Sequence, residues 1–555
     1  MGKTERRRTF LWILGLLLML QAIAAFCFCM KKTGFHYDEY YSYYSSNVSV
    51  GLAPSDREWK TGESIRNEFQ VLPEERFRFR DVVRMQTYDV HPPVYYLLLH
   101  AVCSLTLGIF TKWSGLALNL LFFAGSWCLV ALLAWKISGK KKEIVLGSCL
   151  LYGFCPAILS GVALVRMYML LGFWILLLTW LHVKALETRR RGWRFYIPAA
   201  VTVYLGFLTH YYFAVYLFFL AAAMECYLLF EQEEHKSWGK KWRDCFAYAA
   251  AVIGAMILAV LSYPACLGHI FRGYRGTEAM GAFFDLSNTL GRFRFFAGLL
   301  DEYGFGSCLP AFLLILILLL LTGAGLARRI GGKRMPMGRF LDRYRMFLVP
   351  AAAATGYFLV VTKTALLTAE EANRYQIPVY GLLHLLAVCL LGYCTARIGR
   401  QIGAKWSAAQ GAACLALNAV TALLILLIAA GELRGLAGGR VLFLYEEDAD
   451  NIAFAAENRS VPTVYWYNGN LAWMIWDDSL ELMQYDEIYF ASLADLSPIS
   501  DERIESAPRV LVYAARSDDS DAALEAVAEG MGGEVRTRKV RELLYCDLYE
   551  LEAVR

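Results

Sequence analysis

The chain has 555 residues, 57% hydrophobic and 19% charged, and its mean hydropathy of +0.40 excludes an ordinary soluble protein. Abundant apolar surface also excludes disorder, and 14 cysteines scattered over so long a sequence exclude a small disulfide-stapled module. The formal charge of +5 conceals a division: residues 432–555 hold 11 basic and 25 acidic side chains, net −14, and residues 1–431 hold 44 and 25, net +19.

The first apolar run, residues 10–30, has 21 residues without a charge, enough to cross a hydrocarbon core of about 30 Å at about 1.5 Å per residue. Arg6, Arg7 and Arg8 precede it and no small-residue cleavage site is evident, which predicts a retained span with a cytoplasmic N-terminus. Further apolar segments follow at 94–110, 115–135, 144–162, 167–184, 195–209, 211–229, 246–265, 307–327, 346–361, 376–396 and 407–430. The expected fold is a polytopic α-helical membrane protein with 11–12 apolar segments in residues 1–431. A soluble, acidic α/β domain follows over 432–555.

Charge sorts the connecting loops. Those at 189–194, 236–243, 328–345 and 397–405 are basic and fall at every second turn, as cytoplasmic loops do. The intervening turns, around His210 and over 266–306 and 363–375, are then external, together with everything after Glu432. Placing Lys140, Lys141 and Lys142 inside as well requires that one early segment not cross. The short 94–110, which follows two prolines, is the one expected to be partial or tilted, leaving eleven crossings and an extracytoplasmic C-terminal domain.

Two external pieces result. Residues 31–93 form the first, in which 66–88 interleaves charged and apolar residues as helices lying on a membrane surface do. In 432–555, short β-rich runs start at Val441, Thr463, Glu487, Val510 and Leu544 and alternate with helical stretches such as 522–531, which predicts a largely parallel sheet. Gly530, Gly532 and Gly533 read as a helix C-terminal cap, and no glycine-rich phosphate loop is present. Twelve cysteines lie in or beside apolar segments without a CxxC pair to suggest zinc, so they read as small packing residues.

Four clusters carry candidate chemistry. Asp38 and Glu39 follow the first span within GFHYDEYYSYYSS, among five tyrosines. They are either incidental acids of an aromatic belt or a carboxylate pair in which burial raises a pKa and makes a general base. YDVHPPVYYLLLH places Asp89 and His91 at an extended entry into the next segment, with His100 deeper as a packing or hydrogen-bonding residue. Arg166, Lys363 and Arg374 fall at external ends of spans, against the orientation rule. Snorkelling explains any one of them, whereas three together suit the oxygens of a phosphate-bearing ligand. His210 and Tyr211, in THYYF at another external turn, either bind a ligand or cap the belt.

In order and sidedness these motifs resemble the GT-C class of membrane glycosyltransferases. The acidic pair after the first span, D-x-HPP-x-YY, VRMY after Pro156, THYY and a late RY-x-x-P match best its family 39 branch, related to protein O-mannosyltransferases and the aminoarabinose transferase of lipid A. The resemblance spans about residues 35–396. It implies transfer of a sugar from a polyprenyl-phosphate donor to a hydroxyl acceptor (lipid, glycan or protein) at the outer face of the membrane, in the cell envelope. It further implies Asp38 as the residue that activates the acceptor, Glu39 as its neighbour, His91 beside the donor phosphate, and Arg166, Tyr168, Arg374 and Tyr375 in the substrate site. Lys363 is added on charge and depth. No cofactor is firmly implied; a divalent ion, where one is used, would draw on Asp38, Glu39 and Asp89. Residues 432–555 depart from the β-trefoil modules of the family, which leaves the acceptor class open.

A transporter or flippase of a lipid-linked or anionic substrate would use the same cations, but it should add charged residues near mid-membrane and internal repeats. A scaffold recruiting partners through the acidic domain leaves the acidic and cationic positions unexplained. Nothing in the sequence points to nucleic acid.

Overall fold

The computed structural model describes residues 3–49, 55–231, 237–329, 336–517 and 519–554. Lys236 and residues 330–335, which belong to two of the basic loops, lie outside the described residues.

Each apolar segment folds as helix, because a run without charges satisfies its backbone internally and leaves its side chains to lipid or to neighbouring helices. Among the described residues, nine helices are long and apolar enough to cross a membrane: Thr4–Lys31, Lys112–Ile137, Tyr168–Thr188, Tyr212–Phe230, Trp238–Ser262, Leu309–Arg329, Met337–Thr364, Ile377–Lys405 and Ser407–Ala437. Lys142–Phe154 and Pro156–Ala163 together make a tenth, bent by 50° at Cys155, where Pro156 disfavours helical geometry in the residue before it. Trp193–Phe207 has 15 residues. Val94–Leu105, the segment expected not to cross, has only 12, about 18 Å of helix.

The chain divides into two compact units, one formed by 1–29, 86–95 and 116–442 and the other by 30–85, 96–115 and 443–555. In the first unit Ile377–Lys405 is central, with 78% of its most apolar stretch buried, against 17% for Leu309–Arg329 on the periphery. Four helix ends meet in an ion-pair network: Arg191 with Glu231 at 2.7 Å and Asp244 at 3.7 Å, and Arg189 with Asp342 at 2.7 Å. Glu231 is buried, so two arginines supply the neutralisation that an isolated carboxylate would lack.

The second unit contains a six-stranded sheet in the order β1-β3-β2-β4-β6-β5, with β1 Glu58–Thr61, β2 Thr463–Tyr467, β3 Glu487–Ser492, β4 Arg509–Ala515, β5 Val535–Glu542 and β6 Cys546–Ala553. The sheet is mixed and not largely parallel. Only β3-β2-β4 run parallel, while β1 pairs with β3, β4 with β6 and β5 with β6 antiparallel. The short link from β5 to β6 allows only a hairpin. Four expected strands are present, but the run from Val441 is not one, because Phe443 (φ 67°) and Tyr445 (φ 49°) are left-handed. The sequence reading left β1 and β5 unassigned; β5, VRTRKVRE, is a charged edge strand without alternation. Ser520–Met531 covers one sheet face through Ala523 and Val527 against Val464, Trp466, Val510 and Val512, and Gly532 (φ +63°) caps it as expected.

Candidate functional site

Four segments far apart in sequence converge in the first unit. The loop carrying Asp89 and His91 is joined to the turn at 208–211 by a hydrogen bond from the Val94 amide to the Leu208 carbonyl, 3.0 Å. Arg166 stands in the non-helical break between Pro156–Ala163 and Tyr168–Thr188, which Asn119 pins by donating to the carbonyls of Val162 (3.1 Å) and Leu164 (2.6 Å). Arg374 and Tyr375 end a 3-10 turn, Ala369–Tyr375. Tyr357 donates to the Tyr375 carbonyl at 2.8 Å and Tyr380 to Asn373 Oδ1 at 2.5 Å.

The core of this convergence is a chain of polar contacts. His91 Nδ1 lies 3.1 Å from Asp89 Oδ2, and His91 Nε2 lies 3.4 Å from Arg166 Nη2. With Nδ1–H donating to the carboxylate, Nε2 is left to accept from the guanidinium, which fixes a neutral tautomer. Burial alone would raise the Asp89 carboxyl, but His91 and Arg166 hold it below the usual carboxylate range. Burial lowers His210 well below the usual histidine range, and the nearby Arg166 guanidinium adds to this. His210 Nδ1 accepts from the Tyr212 amide at 3.1 Å, so the proton of the neutral ring is on Nε2. Rings continue the group: Tyr168 is 5.6 Å from His210 and 5.8 Å from Tyr375, and the Arg374 guanidinium lies 5.1 Å from the Tyr375 ring centre. Arg166 and Arg374 are 2% and 1% exposed, which excludes snorkelling to lipid as the reason for either. Such a set presents fixed cations, an imidazole N–H and phenolic hydroxyls, the donors that suit phosphate oxygens.

Two expected residues have other partners. Tyr211 donates to or accepts from His269 Nδ1 at 2.8 Å, and His269 Nε2 reaches the Thr87 carbonyl at 3.3 Å, so Tyr211 braces the loop that carries Asp89 and His91. Lys363 Nζ donates to the Asp285 carbonyl (2.6 Å), Asn288 Oδ1 (3.2 Å) and Thr289 Oγ1 (2.9 Å), holding the turn at 285–289. Its charge serves that turn, which the sequence could not reveal because lysine and turn are remote in the chain.

In the second unit the acidic pair separates into two roles. His36 caps the helix Tyr37–Ser46: its Nδ1 accepts from the Asp38 amide at 3.1 Å, and Glu39 Oε2 accepts from the His36 amide at 2.8 Å. Glu39 is fully buried and ion-paired with Lys32 at 2.9 Å, and Lys32 also donates to the Phe443 carbonyl at 2.6 Å. Asp38 keeps a side chain that is 19% exposed, the more accessible carboxylate of the two. His100 is buried with its ring 5.5 Å from Phe79.

Of the carboxylates named for a divalent ion, Glu39 is ion-paired with Lys32 at 2.9 Å and Asp89 is hydrogen-bonded to His91 at 3.1 Å. Lys32, Asn119 and His269 escaped the sequence reading. Lys32 and Asn119 carry the signal that could have found them, a lysine just past an apolar span and a lone asparagine within LALNLLFF.

No family model and no curated protein matches the sequence. Solved structures that are similar include ArnT from Cupriavidus metallidurans in the apo state, 11% identical with a TM-score of 0.43 over 92% of this chain and 95% of that one. They also include the oligosaccharyltransferase AglB from Archaeoglobus fulgidus in complex with an inhibitory peptide and a dolichol-phosphate, 12% identical, TM-score 0.40, over 94% and 71%. The apo form of the Archaeoglobus fulgidus oligosaccharyltransferase is 13% identical with a TM-score of 0.44 over 95% and 69%.

Proposed function

We propose that the chain is a multi-pass membrane glycosyltransferase of the GT-C type that moves a sugar from a polyprenyl-phosphate donor to a hydroxyl acceptor at the outer face of the membrane. The observation that carries this reading is the convergence of Asp89, His91, Arg166, His210, Tyr168 and Tyr375 from four remote segments, each of which bears one of the motifs. The similar solved structures, ArnT and AglB, are GT-C membrane glycosyltransferases, which agrees with the reading without carrying it. In the proposed orientation the N-terminus is cytoplasmic and the acidic C-terminal part is outside.

Arg166 is charged at every accessible pH and is oriented by His91, itself oriented by Asp89; this places a fixed cation for a phosphate. His210, neutral with a proton on Nε2, adds a donor, and Tyr168 and Tyr375 add hydroxyls. Arg374 adds positive charge behind the Tyr375 ring. Positive charge there stabilises the phosphate as negative charge builds on its bridging oxygen, where a preorganised donor contributes most. The acceptor oxygen forms a bond to the anomeric carbon, the bond from that carbon to the phosphate oxygen breaks with its electron pair on the phosphate, and the acceptor proton passes to Asp38 as general base. A single displacement of this kind inverts the anomeric centre. Glu39 positions the helix that carries Asp38.

Purified protein in liposomes, offered a panel of polyprenyl-phosphate sugars with an outer-leaflet extract as acceptor, should release polyprenyl phosphate. Asp38→Asn should abolish release while the protein stays monodisperse. Equal release by wild type and variant across the panel, or none by wild type, overturns the reading.

A further inference from the structure

Cys155, His384 and Glu432 come together inside the first unit, and their ligand atoms all lie within 4.8 Å of one another. All three are fully buried. Cys155 is the residue at the 50° bend before Pro156, His384 lies two turns into Ile377–Lys405, and Glu432 lies near the end of the last apolar helix. Sequence spacing could not find this group, since the three residues come from remote segments.

Neither oxygen of Glu432 and not Nδ1 of His384 has a hydrogen-bond partner among the described residues. His384 Nε2 lies 3.9 Å from Glu432 Oε1 and 2.5 Å from the Gly304 carbonyl, and Cys155 Sγ lies 3.2 Å from the Tyr303 carbonyl. Those carbonyls belong to a π-helical turn, Leu300–Gly304, an irregularity that often marks a functional site. Close approach holds that segment against Glu432. At Gly306 (φ +55°) an added Cβ would stand 2.5 Å from the Glu432 nitrogen, and at Gly431 it would stand 2.2 Å from the Gly306 carbonyl oxygen.

We propose that Cys155, His384 and Glu432 bind a divalent transition-metal ion of zinc's ligand preference, with the fourth position left to a small exogenous donor. Thiolate, imidazole and carboxylate at one point form a mixed sulfur, nitrogen and oxygen set that suits zinc. One thiolate and one carboxylate cancel the dipositive charge, so the filled site is neutral, as an apolar interior requires. Binding requires the deprotonated thiolate and carboxylate, so it releases whatever protons those two groups carry. Bonds of about 2.0–2.3 Å need a tighter set of ligand atoms than the present one, so binding would require the three side chains to turn toward a common point. The ion would tie the bend at Cys155 to Ile377–Lys405 and Ser407–Ala437.

Full-length protein purified in detergent and passed over a chelating resin should retain about one zinc ion per chain by mass spectrometry. Replacement by Co²⁺ should give a thiolate-to-metal band in the near ultraviolet and strong visible bands of a four-coordinate site. Cys155→Ser should remove the near-ultraviolet band, and Glu432→Gln should lower retained metal at least about tenfold; Cys149→Ser should change neither. Absence of both zinc and the cobalt band in the unaltered chain overturns the proposal, and this result does not depend on any variant folding. Metal retained equally in all variants overturns it as well.

Discussion

Replacing Glu39 with glutamine removes the carboxylate that is ion-paired with Lys32 at 2.9 Å and leaves a fully buried ammonium. Breaking one side of a buried ion pair costs about 3–5 kcal/mol, because the remaining charge is desolvated without compensation. Lys32 would retain the Phe443 carbonyl and the rings of Phe35 and Tyr445, at 5.2 and 5.3 Å, which places the cost in the lower half of that range. For a unit of this size each kcal/mol corresponds to about 2–4 °C, so Glu39→Gln should lower the melting temperature of the second unit by about 6–16 °C. Near-ultraviolet circular dichroism in detergent follows the melt, and hydrogen exchange over residues 37–46 localises it. Pairing the change with Lys32→Met should recover at least half of the loss, since no charge is then buried. Asp38→Asn should cost less than about 1 kcal/mol, its side chain being partly in solvent. If Glu39→Gln melts within about 2 °C of wild type, or Asp38→Asn melts as low, the division of roles between the two acids is wrong.

Arg166→Lys keeps the charge but loses the planar fork. It should lower kcat/KM for the lipid-phosphate donor about 10- to 100-fold, measured as polyprenyl phosphate released, as expected for loss of a charged hydrogen bond. Lys363→Gln should leave kcat/KM within about threefold and act on the exchange protection of residues 285–289, because its amine holds that turn. Burial raises the Asp478 carboxyl to about 6, where it accepts from Tyr465 at 2.5 Å. The folded unit therefore keeps a proton that the unfolded chain releases near pH 4, so its stabilising contribution is present below about pH 4 and is lost as pH rises through 6. Asp478→Asn should flatten that decline in melting temperature between pH 4 and 7.

Membrane class, the positions of the apolar helices and four strands of the sheet were legible in the sequence, because run length without charge and short apolar β-rich runs are local properties. The shortness of Val94–Leu105, 12 residues of helix, was legible too, from its short apolar run after two prolines. The charge division near residue 432 was legible as well, although the last apolar helix carries on past Glu432 to Ala437 and the second unit draws in 30–85 and 96–115. The motifs containing Asp89, His91, Arg166, His210, Tyr168 and Tyr375 could be singled out one by one. Their meeting could not, because a contact such as the one between Arg166 and His91 depends on how helices pack, which no local pattern encodes. For the same reason only tertiary structure separated Asp38 from Glu39, sent Lys363 to the turn at 285–289 and brought Cys155 to His384 and Glu432. A side chain's partner, and with it the meaning of its charge, is set by the fold around it.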